Sequence, residues 1–494
     1  MCGEIGFRGF SPHARQVESF RRAWRQAAGL LFLDKPNQAC GMLEFAALLY
    51  LSLPLFIFFA SFTRLAVSLP ALVAILAVLY RVRPQEGSAK FPRSLSKSLL
   101  CVATSGLFLW SCAYLPPFGH TWDWLKHFAI LNELSQNSWP PINEGTRTFL
   151  RYNVGYYLVP GLLARLFGDR LIEVFVFIQT WIGLYFVLAL LLQKIQPSRP
   201  AMFLVLFLLF SGLNLIGWFF FGHDPSIFAH KEWWATSNYA FAYDGNATLF
   251  LWVPQHALAG MIGVLLLLSD REQPVPPQAL SLLGAAVLLW SPFAALGLVP
   301  FAFAAAVRSG REAFSDWGNI LCGLVLGVPL LAYLLAGTSS LPHGANWNHD
   351  DFFIGRYASF MMLEVGFYLM ALWWCDWRYL RHPIIVVTVL LLLPLYRIGI
   401  YNDFTMRTCI PAMTLLAIAT ATSLTEAKDR RCIPLAMLMF IGSVTSVLEI
   451  IGRGREGYVP AREQSLRTGP LAQEPYVMQY NAPIPNWVLR GGSD

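Results

Sequence analysis

Charged residues are scarce in this 494-residue chain. Lys and Arg number 36 and Asp and Glu 29, so charged residues make up 13% of the sequence, against about 25% in an ordinary soluble protein. Hydrophobic residues make up 56%, and the mean hydropathy is +0.50. A soluble fold could not cover so much apolar surface with so few charges. The composition excludes a soluble cytosolic enzyme, a disordered scaffold and a secreted disulfide-rich module, and it predicts an integral membrane protein.

Cysteine motifs and internal repeats are absent as well. The eight cysteines form no Cys-x-x-Cys pair and most lie inside apolar runs, which predicts small buried hydrophobic residues rather than a disulfide framework. We find no repeat of about 20–50 residues and no inverted duplication of two halves. The net charge of +7 requires no nucleic-acid partner, because Lys and Arg collect at the ends of apolar segments, as membrane topology demands.

Long apolar runs dominate what is present. A spanning helix needs about 20 mostly apolar residues, and it must be helical because lipid offers the backbone no hydrogen-bond partner. The stretch 279–307 contains Ser291-Pro292, and proline disfavours helix continuation, so we predict two short helices there. The fold class predicted is all-α, a polytopic transmembrane helical bundle of about 13 spans. The other predicted spans are 45–62, 65–81, 98–115, 171–193, 201–221, 249–268, 317–336, 357–376, 383–397, 408–424 and 433–450.

Basic residues in the loops predict the orientation of the bundle. Lys and Arg cluster in five loops, which all face the cytoplasm if the lead-in 1–44 does. That lead-in is basic, and its stretch 20–32 is compatible with an interfacial helix. The transmembrane domain 45–450 then exposes outer loops at 116–170, 222–248, 337–356 and 398–407. The tail 451–494 is rich in Pro, Arg and Gln without periodicity, which predicts a loosely ordered extracytoplasmic segment.

The outer loop 116–170 carries the main chemical candidates. Asp123, Lys126 and His127 lie in a stretch with apolar residues at helical spacing, which predicts a short amphipathic helix. A carboxylate beside cationic groups suits a general base next to an anion site. The alternative is that Asp123 only caps the helix. The apolar segment 155–167 is too short to span, so we predict a re-entrant helix there.

The same loop carries a motif in a fixed order. It reads Asp123-x-x-x-His127, then Trp139-Pro-Pro, then Arg151-Tyr-Asn-Val-Gly-Tyr-Tyr and finally Leu-Phe-Gly168. In this it resembles the GT-C superfamily of integral-membrane glycosyltransferases, among them the protein O-mannosyltransferases and the lipid A aminoarabinose transferases. The resemblance implies a polyprenyl-phosphate sugar as donor, transfer on the extracytoplasmic side, and Asp123 as the catalytic base.

Two departures from the family pattern concern the loop's position and its acids. Three predicted spans rather than one precede the loop, and Asp123 stands alone where the family often has paired acids. The single acid leaves the participation of a divalent metal open, and we predict no metal-ligating residue.

Polar residues at the mouths of later spans complete the predicted site. Gln255 and His256 open one span, where a polar pair is costly without partners. Arg407 opens another, and its guanidinium suits a lipid phosphate, with Asp403 orienting it. Alternatively, Asp403 and Arg407 form an i, i+4 pair that only stabilises the helix start. The residues predicted to bind substrate are Lys126, His127, Arg151, Gln255, His256, Asp403 and Arg407.

Together these features predict a glycosyltransferase that transfers a sugar with inversion. Segments 155–167 and 279–307 would form the walls of its lipid groove. Its expected partners are membrane lipid, the lipid-linked sugar, and a glycan, lipid or protein acceptor, and its expected location is the bacterial cytoplasmic membrane. The alternative is a transporter or flippase of a lipid-linked or hydrophilic substrate. The absent inverted repeats and the scarcity of charge at depth, where Glu364 stands nearly alone, disfavour it.

Overall fold

A computed structural model has the mainly helical architecture that the composition predicts. It describes residues 40–84, 94–112, 114, 120–143, 147–221, 232, 234, 241–268, 276–310, 315–338, 342–348, 351–399, 402–452, 461–467, 471 and 480–490. The predicted interfacial helix in the lead-in and most of the outer loop 222–248 lie outside the described residues.

The described α-helices follow one another along the chain. The first part has α1 (Met42–Ser61), α2 (Leu65–Val82), α3 (Leu95–Ser111), α4 (Asp123–Gln136), α5 (Gly155–Phe167), α6 (Ile172–Ile195), α7 (Pro200–Leu208), α8 (Asn214–Phe221), α9 (Asn246–Trp252) and α10 (Pro254–Leu267). The second part has α11 (Leu280–Trp290), α12 (Pro292–Arg308), α13 (Trp317–Leu335), α14 (Phe353–Met361), α15 (Phe367–Asp376), α16 (Pro383–Leu392), α17 (Asp403–Thr408), α18 (Ile410–Thr425) and α19 (Ile433–Gly452).

Six helices in the described part of the chain are long and apolar enough to cross a membrane. Counted with adjoining helical turns, they are Met42–Ser61, Leu65–Val82, Asp169–Ile195, Trp317–Leu335, Phe353–Tyr379 and Arg430–Gly452. Shorter apolar helices lie beside them, including α3, α10, α12 and α18. The all-α architecture agrees with the prediction, whereas the count of about 13 spans stays a prediction.

Proline and packing determine where several apolar segments break. Between α11 and α12, Ser291 is extended, with φ −162° and ψ 98°, so the predicted break is confirmed. The predicted span 249–268 is not one helix, because it divides into α9 and α10 at Pro254, which has no N–H to donate. The predicted span 201–221 likewise divides, into α7 and α8, and the Glu364 carboxylate lies against Gly212 at that division.

Short strands join the tail to the first outer loop. Strands β1 (Ile142–Asn143), β2 (Thr148–Leu150) and β5 (Asn481–Ala482) form an antiparallel sheet in the order β1-β2-β5. Leu150 pairs with Asn481. The tail is therefore ordered over these residues, and the prediction of a loose segment is wrong there, because backbone pairing requires no apolar periodicity. Strands β3 (His343–Ala345) and β4 (Tyr396–Ile398) pair separately.

The bundle end opposite this sheet carries ion pairs and a disulfide. Arg81 Nη1 lies 2.9 Å from Asp316 Oδ2. A disulfide joins Cys375, near the end of α15, to Cys432, directly before α19. The expectation of buried unpaired cysteines fails for this pair because tertiary packing brings the two helix ends together. It holds for the cysteines that the structure leaves free, namely Cys40, Cys101, Cys112, Cys322 and Cys409.

Candidate functional site

Asp123 is the first residue of α4, and its carboxylate binds a side chain rather than the helix start. The N-cap position belongs to Trp122, which makes no side-chain capping bond. Lys126 Nζ donates to Asp123 Oδ2 at 2.8 Å across one helical turn. The side chains of Asp123 and Lys126 keep 20% and 14% of their surface exposed. This geometry disfavours the capping role and leaves both groups accessible at the edge of a largely buried cluster.

The charges around Asp123 keep it ionised. Burial acts to raise its pKa, but the charge and hydrogen bond of Lys126, together with the charge of Arg407, outweigh that effect and hold the pKa of Asp123 below its ordinary value. The reciprocal effect acts on Lys126, where Asp123 overcomes the effect of burial and raises the pKa of the ammonium. At neutral pH the pair is therefore a carboxylate and an ammonium, the forms that can accept a proton and bind an anion respectively.

His127 connects three parts of the candidate site and is fully buried. Its Nε2 donates to the Trp252 carbonyl at 2.8 Å, so its Nδ1 accepts from the Tyr157 hydroxyl at 2.7 Å. Burial and the nearby charge of Lys126 lower the pKa of His127 to about 3, which keeps the ring neutral. Both ring nitrogens of His127 thus bind protein groups. His127, which was predicted to bind substrate, instead holds α4 against α5 and against the turn between α9 and α10.

Arg407 lies in α17, whose start is set by Asn402. That residue has φ 56° in the left-handed region that asparagine tolerates, and its side chain caps the helix through Thr405 N. The Arg407 Nη1 donates to Asp244 Oδ2 at 2.6 Å, whereas Nη2 lies 3.8 Å from Asp403 Oδ1. The predicted pair with Asp403 exists, but Asp244, which sequence reasoning did not select, is the closer partner.

The Arg407–Asp244 pair is buried, with 9% and 2% of the side-chain surfaces exposed. Burial raises the pKa of Asp244 although Arg407 acts against it. On Arg407, burial is outweighed by Asp244, Asp403 and Asp123, which raise the pKa of the guanidinium. Breaking such a pair from one side leaves an uncompensated buried charge, which costs about 3–5 kcal/mol.

His256 and Gln255 begin α10 and are both buried. His256 Nδ1 lies 2.7 Å from Ser291 Oγ, at the break between α11 and α12. The amide of Gln255 is fully buried and forms no hydrogen bond with the described residues. Of the two polar residues predicted at this helix start, His256 therefore has a hydrogen-bond partner among the described residues and Gln255 has none.

Electrostatic interactions show which predicted residues converge. The charge of Arg407 acts on Asp123, and the charges of Arg407 and Lys126 act on His256. Tyr152 and Tyr480 experience the same acids and bases, and sequence reasoning selected neither. Arg151 takes part through its backbone, because its N–H donates to the Tyr480 carbonyl at 2.7 Å. Burial lowers the pKa of the Arg151 guanidinium, which the charges of Tyr333 and Tyr152 act to raise.

An apolar cavity of about 300 Å³ lies between α1, α5 and α6. Val159 and Leu163 of α5 line one side, and Trp290, which directly precedes Ser291, lines another. Asn153 ties the loop before α5 to this position by donating to the Trp290 carbonyl at 2.8 Å. Segments 155–167 and 279–307, expected to form the walls of one groove, thus meet at one cavity.

Buried acids extend the polar region behind Asp244. Glu232 accepts hydrogen bonds from Asn214, from Gly245 N at 2.8 Å and from Thr248 at 2.8 Å. Burial, reinforced by the charge of Asp244, raises the pKa of Glu232 to about 8. Glu364 lies in a π-helical turn and packs against Gly212, so it faces a neighbouring segment of the bundle.

No group of three or more His, Cys, Asp or Glu residues within the described ranges is arranged to hold a metal ion. Comparison of the chain with protein-family models, with curated proteins and with solved structures finds no match in any of the three.

Proposed function

We propose that this protein is an integral-membrane glycosyltransferase of GT-C type that takes a sugar from a polyprenyl-phosphate donor on the extracytoplasmic side. The proposal depends on an ionised Asp123–Lys126 pair on which the charge of the buried Arg407 acts. It also depends on an apolar cavity lined by Trp290, the residue before the Ser291 that contacts His256. The reaction needs a base, cations for a phosphate and a place for a lipid tail, and this region supplies groups suited to each.

The proposed donor spans the two environments of this region. Its isoprenoid tail would lie in the cavity between α1, α5 and α6, against Val159, Leu163 and Trp290. Its phosphate would reach Lys126 and Arg407, since a guanidinium binds phosphate through two parallel hydrogen bonds and an ammonium binds it as a point charge. The neutral His127 would keep α4 in place through its bonds to Tyr157 and Trp252.

The proposed chemistry is a single displacement at the anomeric carbon of the donor sugar. The acceptor hydroxyl oxygen forms the new bond to that carbon, the bond from carbon to the phosphate oxygen breaks, and the hydroxyl proton passes to Asp123. Protonation neutralises the Asp123 carboxylate, so Lys126, which had been paired with it at 2.8 Å, becomes available to the leaving phosphate. Proton transfer and leaving-group stabilisation are thereby coupled within one helical turn.

The first prediction tests Asp123. We expect Asp123→Asn to lower sugar transfer by about 100-fold or more, because the amide cannot accept the proton but keeps the size of the side chain. The measurement uses purified protein in liposomes with a panel of radiolabelled polyprenyl-phosphate sugars. It quantifies the labelled sugar transferred to the acceptor and the free labelled sugar released into water. Asp169→Asn is the matched control, because Asp169 follows the same outer loop with 42% of its side chain exposed.

Transfer by Asp123→Asn at the wild-type rate would remove this residue from the mechanism. Movement of an intact lipid-linked sugar across the bilayer by both proteins, without transfer, would instead favour the transporter or flippase.

A further inference from the structure

We propose that the C-terminal residues 461–467 and 480–490 form a strap over the site and that Tyr480 contacts the acceptor. This inference rests on the proposed function and adds a residue for the second substrate, which we take to be a carbohydrate or another polyol. The observations that carry it are the fastening of the strap at separate points and the position of Tyr480 among the charged groups of the site.

The strap is fastened first to α4, the helix that carries Asp123. Asn132 Nδ2 donates to the carbonyls of Ala461 and Gln464 at 2.7 and 2.8 Å. Arg467 forms a two-pronged ion pair with Glu133, with Nε 2.9 Å from Oε1 and Nη2 2.9 Å from Oε2. Because these bonds are made to α4, the helix that also carries Asp123, the strap and the proposed base are held by the same helix.

The strap is fastened again at β2 and at the turn between α1 and α2. Its strand β5 pairs with β2, directly before Arg151. At the turn, Arg64 N donates to the Val488 carbonyl at 3.0 Å, and Arg490 Nε donates to the Thr63 carbonyl at 2.6 Å. Val488 and Leu489 are buried there. The backbone of Tyr480 is held by the strand pairing of the adjacent Asn481 and by the Arg151 N–H, which donates to the Tyr480 carbonyl at 2.7 Å.

Tyr480 is thereby placed beside the reacting groups. Its ring centroid lies 5.4 Å from that of Tyr152, and only 3% of the residue is exposed. The charges of Lys126, Asp123 and Asp403 all act on its phenol. A flat aromatic face binds the apolar face of a sugar ring, and a phenol hydroxyl donates to or accepts from a sugar hydroxyl.

The acceptor is the substrate that this position suits. The apolar cavity proposed for the donor tail is lined by α1, α5, α6 and Trp290, whereas the strap covers α4, β2 and the turn at Thr63. A hydroxyl-bearing molecule that passes under the strap would meet Tyr480 before it reaches Asp123.

The experiment separates the two substrates by kinetics. Radiolabelled polyprenyl-phosphate sugar serves as donor and octyl glucoside as the acceptor probe, with release of free sugar into water measured in the same reaction. We expect Tyr480→Phe to raise the acceptor KM about fivefold, the effect of losing one hydrogen bond, and Tyr480→Ala to raise it further. Hydrolysis of the donor should stay within about twofold of the wild type, because water needs no strap contact.

Ile484→Ala is the matched strap variant, since Ile484 is buried on the same segment. It should lower the melting temperature without changing the acceptor KM. An unchanged acceptor KM in both Tyr480 variants, with Asp123→Asn inactive, would overturn the role of Tyr480 and leave the proposed function intact. Equal losses of transfer and hydrolysis in Tyr480→Phe would also overturn it, because they would indicate a structural role. Absence of transfer by the wild type with every donor would overturn both proposals.

Discussion

At the scale of single residues, this protein places ionisable groups where water is scarce and neutralises them in pairs. Asp123 is paired with Lys126, and Arg407 with Asp244. A buried unpaired charge would cost several kcal/mol, so each pair also keeps its charges available without destabilising the fold. Glu232 differs from these pairs because the hydrogen bonds described above come to it from neutral donors. Four such donors surround its carboxyl group, and burial raises its pKa.

Glu232 yields a prediction on the pH dependence of stability. In the folded protein Glu232 has a pKa of about 8, whereas in the unfolded chain it has the ordinary glutamate pKa of 4.5. Between those values the folded state binds more protons, so this residue lowers stability as pH rises through the window. We expect the melting temperature of Glu232→Gln to fall less from pH 5 to pH 8 than that of the wild type.

The measurement is thermal unfolding in detergent at the two pH values. Glu463→Gln is the control, because Glu463 is exposed and should leave the wild-type slope unchanged. Parallel slopes for wild type and Glu232→Gln would show that Glu232 releases its proton at the same pH in both states.

At the scale of elements, the break between α11 and α12 joins a helix start to a site residue. The Ser291 hydroxyl accepts from Ala294 N at 3.1 Å and so caps α12, and it also meets His256 at 2.7 Å. One side chain therefore fixes the first turn of α12 and the ring of His256. The preceding residue, Trp290, lines the apolar cavity, so a shift of this junction would reach the place proposed for the lipid tail.

Replacing Ser291 should therefore affect both stability and donor use. Losing the cap costs about 1 kcal/mol, and His256 loses a buried partner at the same time. We expect Ser291→Ala to lower the melting temperature by a few degrees and to raise the donor KM. Ser309→Ala, at the other end of α12, is the matched control, because the Ser309 hydroxyl donates to the Ala305 carbonyl of the same helix. A donor KM equal to that of the wild type in Ser291→Ala would show that this junction does not affect donor binding.

At the scale of the whole molecule, the two ends of the bundle differ in chemistry. One end carries the proposed site, the β1-β2-β5 sheet and the strap. The other carries the basic loops, the Arg81–Asp316 pair and the Cys375–Cys432 disulfide. The excess of Lys and Arg favours a cytoplasmic location for that end, whereas disulfides persist in oxidising compartments. The two signals point in opposite directions, and we expect the charge bias to prevail because it comes from five loops and not one bond.

Labelling from each side of the membrane tests this orientation. Trp122 is 44% exposed beside Asp123, and the Arg431 side chain is 69% exposed beside the disulfide. In a background without other reactive cysteines, Trp122→Cys should react with an impermeant maleimide in intact spheroplasts, and Arg431→Cys only in inverted vesicles. The reverse pattern would place the site in the cytoplasm and contradict transfer on the outer side.

Local sequence was sufficient to predict the mainly helical architecture and the Ser291-Pro292 break, because apolar run length and proline sterics act over a few residues. Helix continuity near Gly212 and the ordering of the tail depended on partners far along the chain. Asp244 is 163 residues from Arg407, and Asn132 reaches a carbonyl 329 residues away. Such contacts form only when helices pack and bury polar groups that must then find partners, so the pairing of Asp244 with Arg407 and the position of Tyr480 were decided by the tertiary structure.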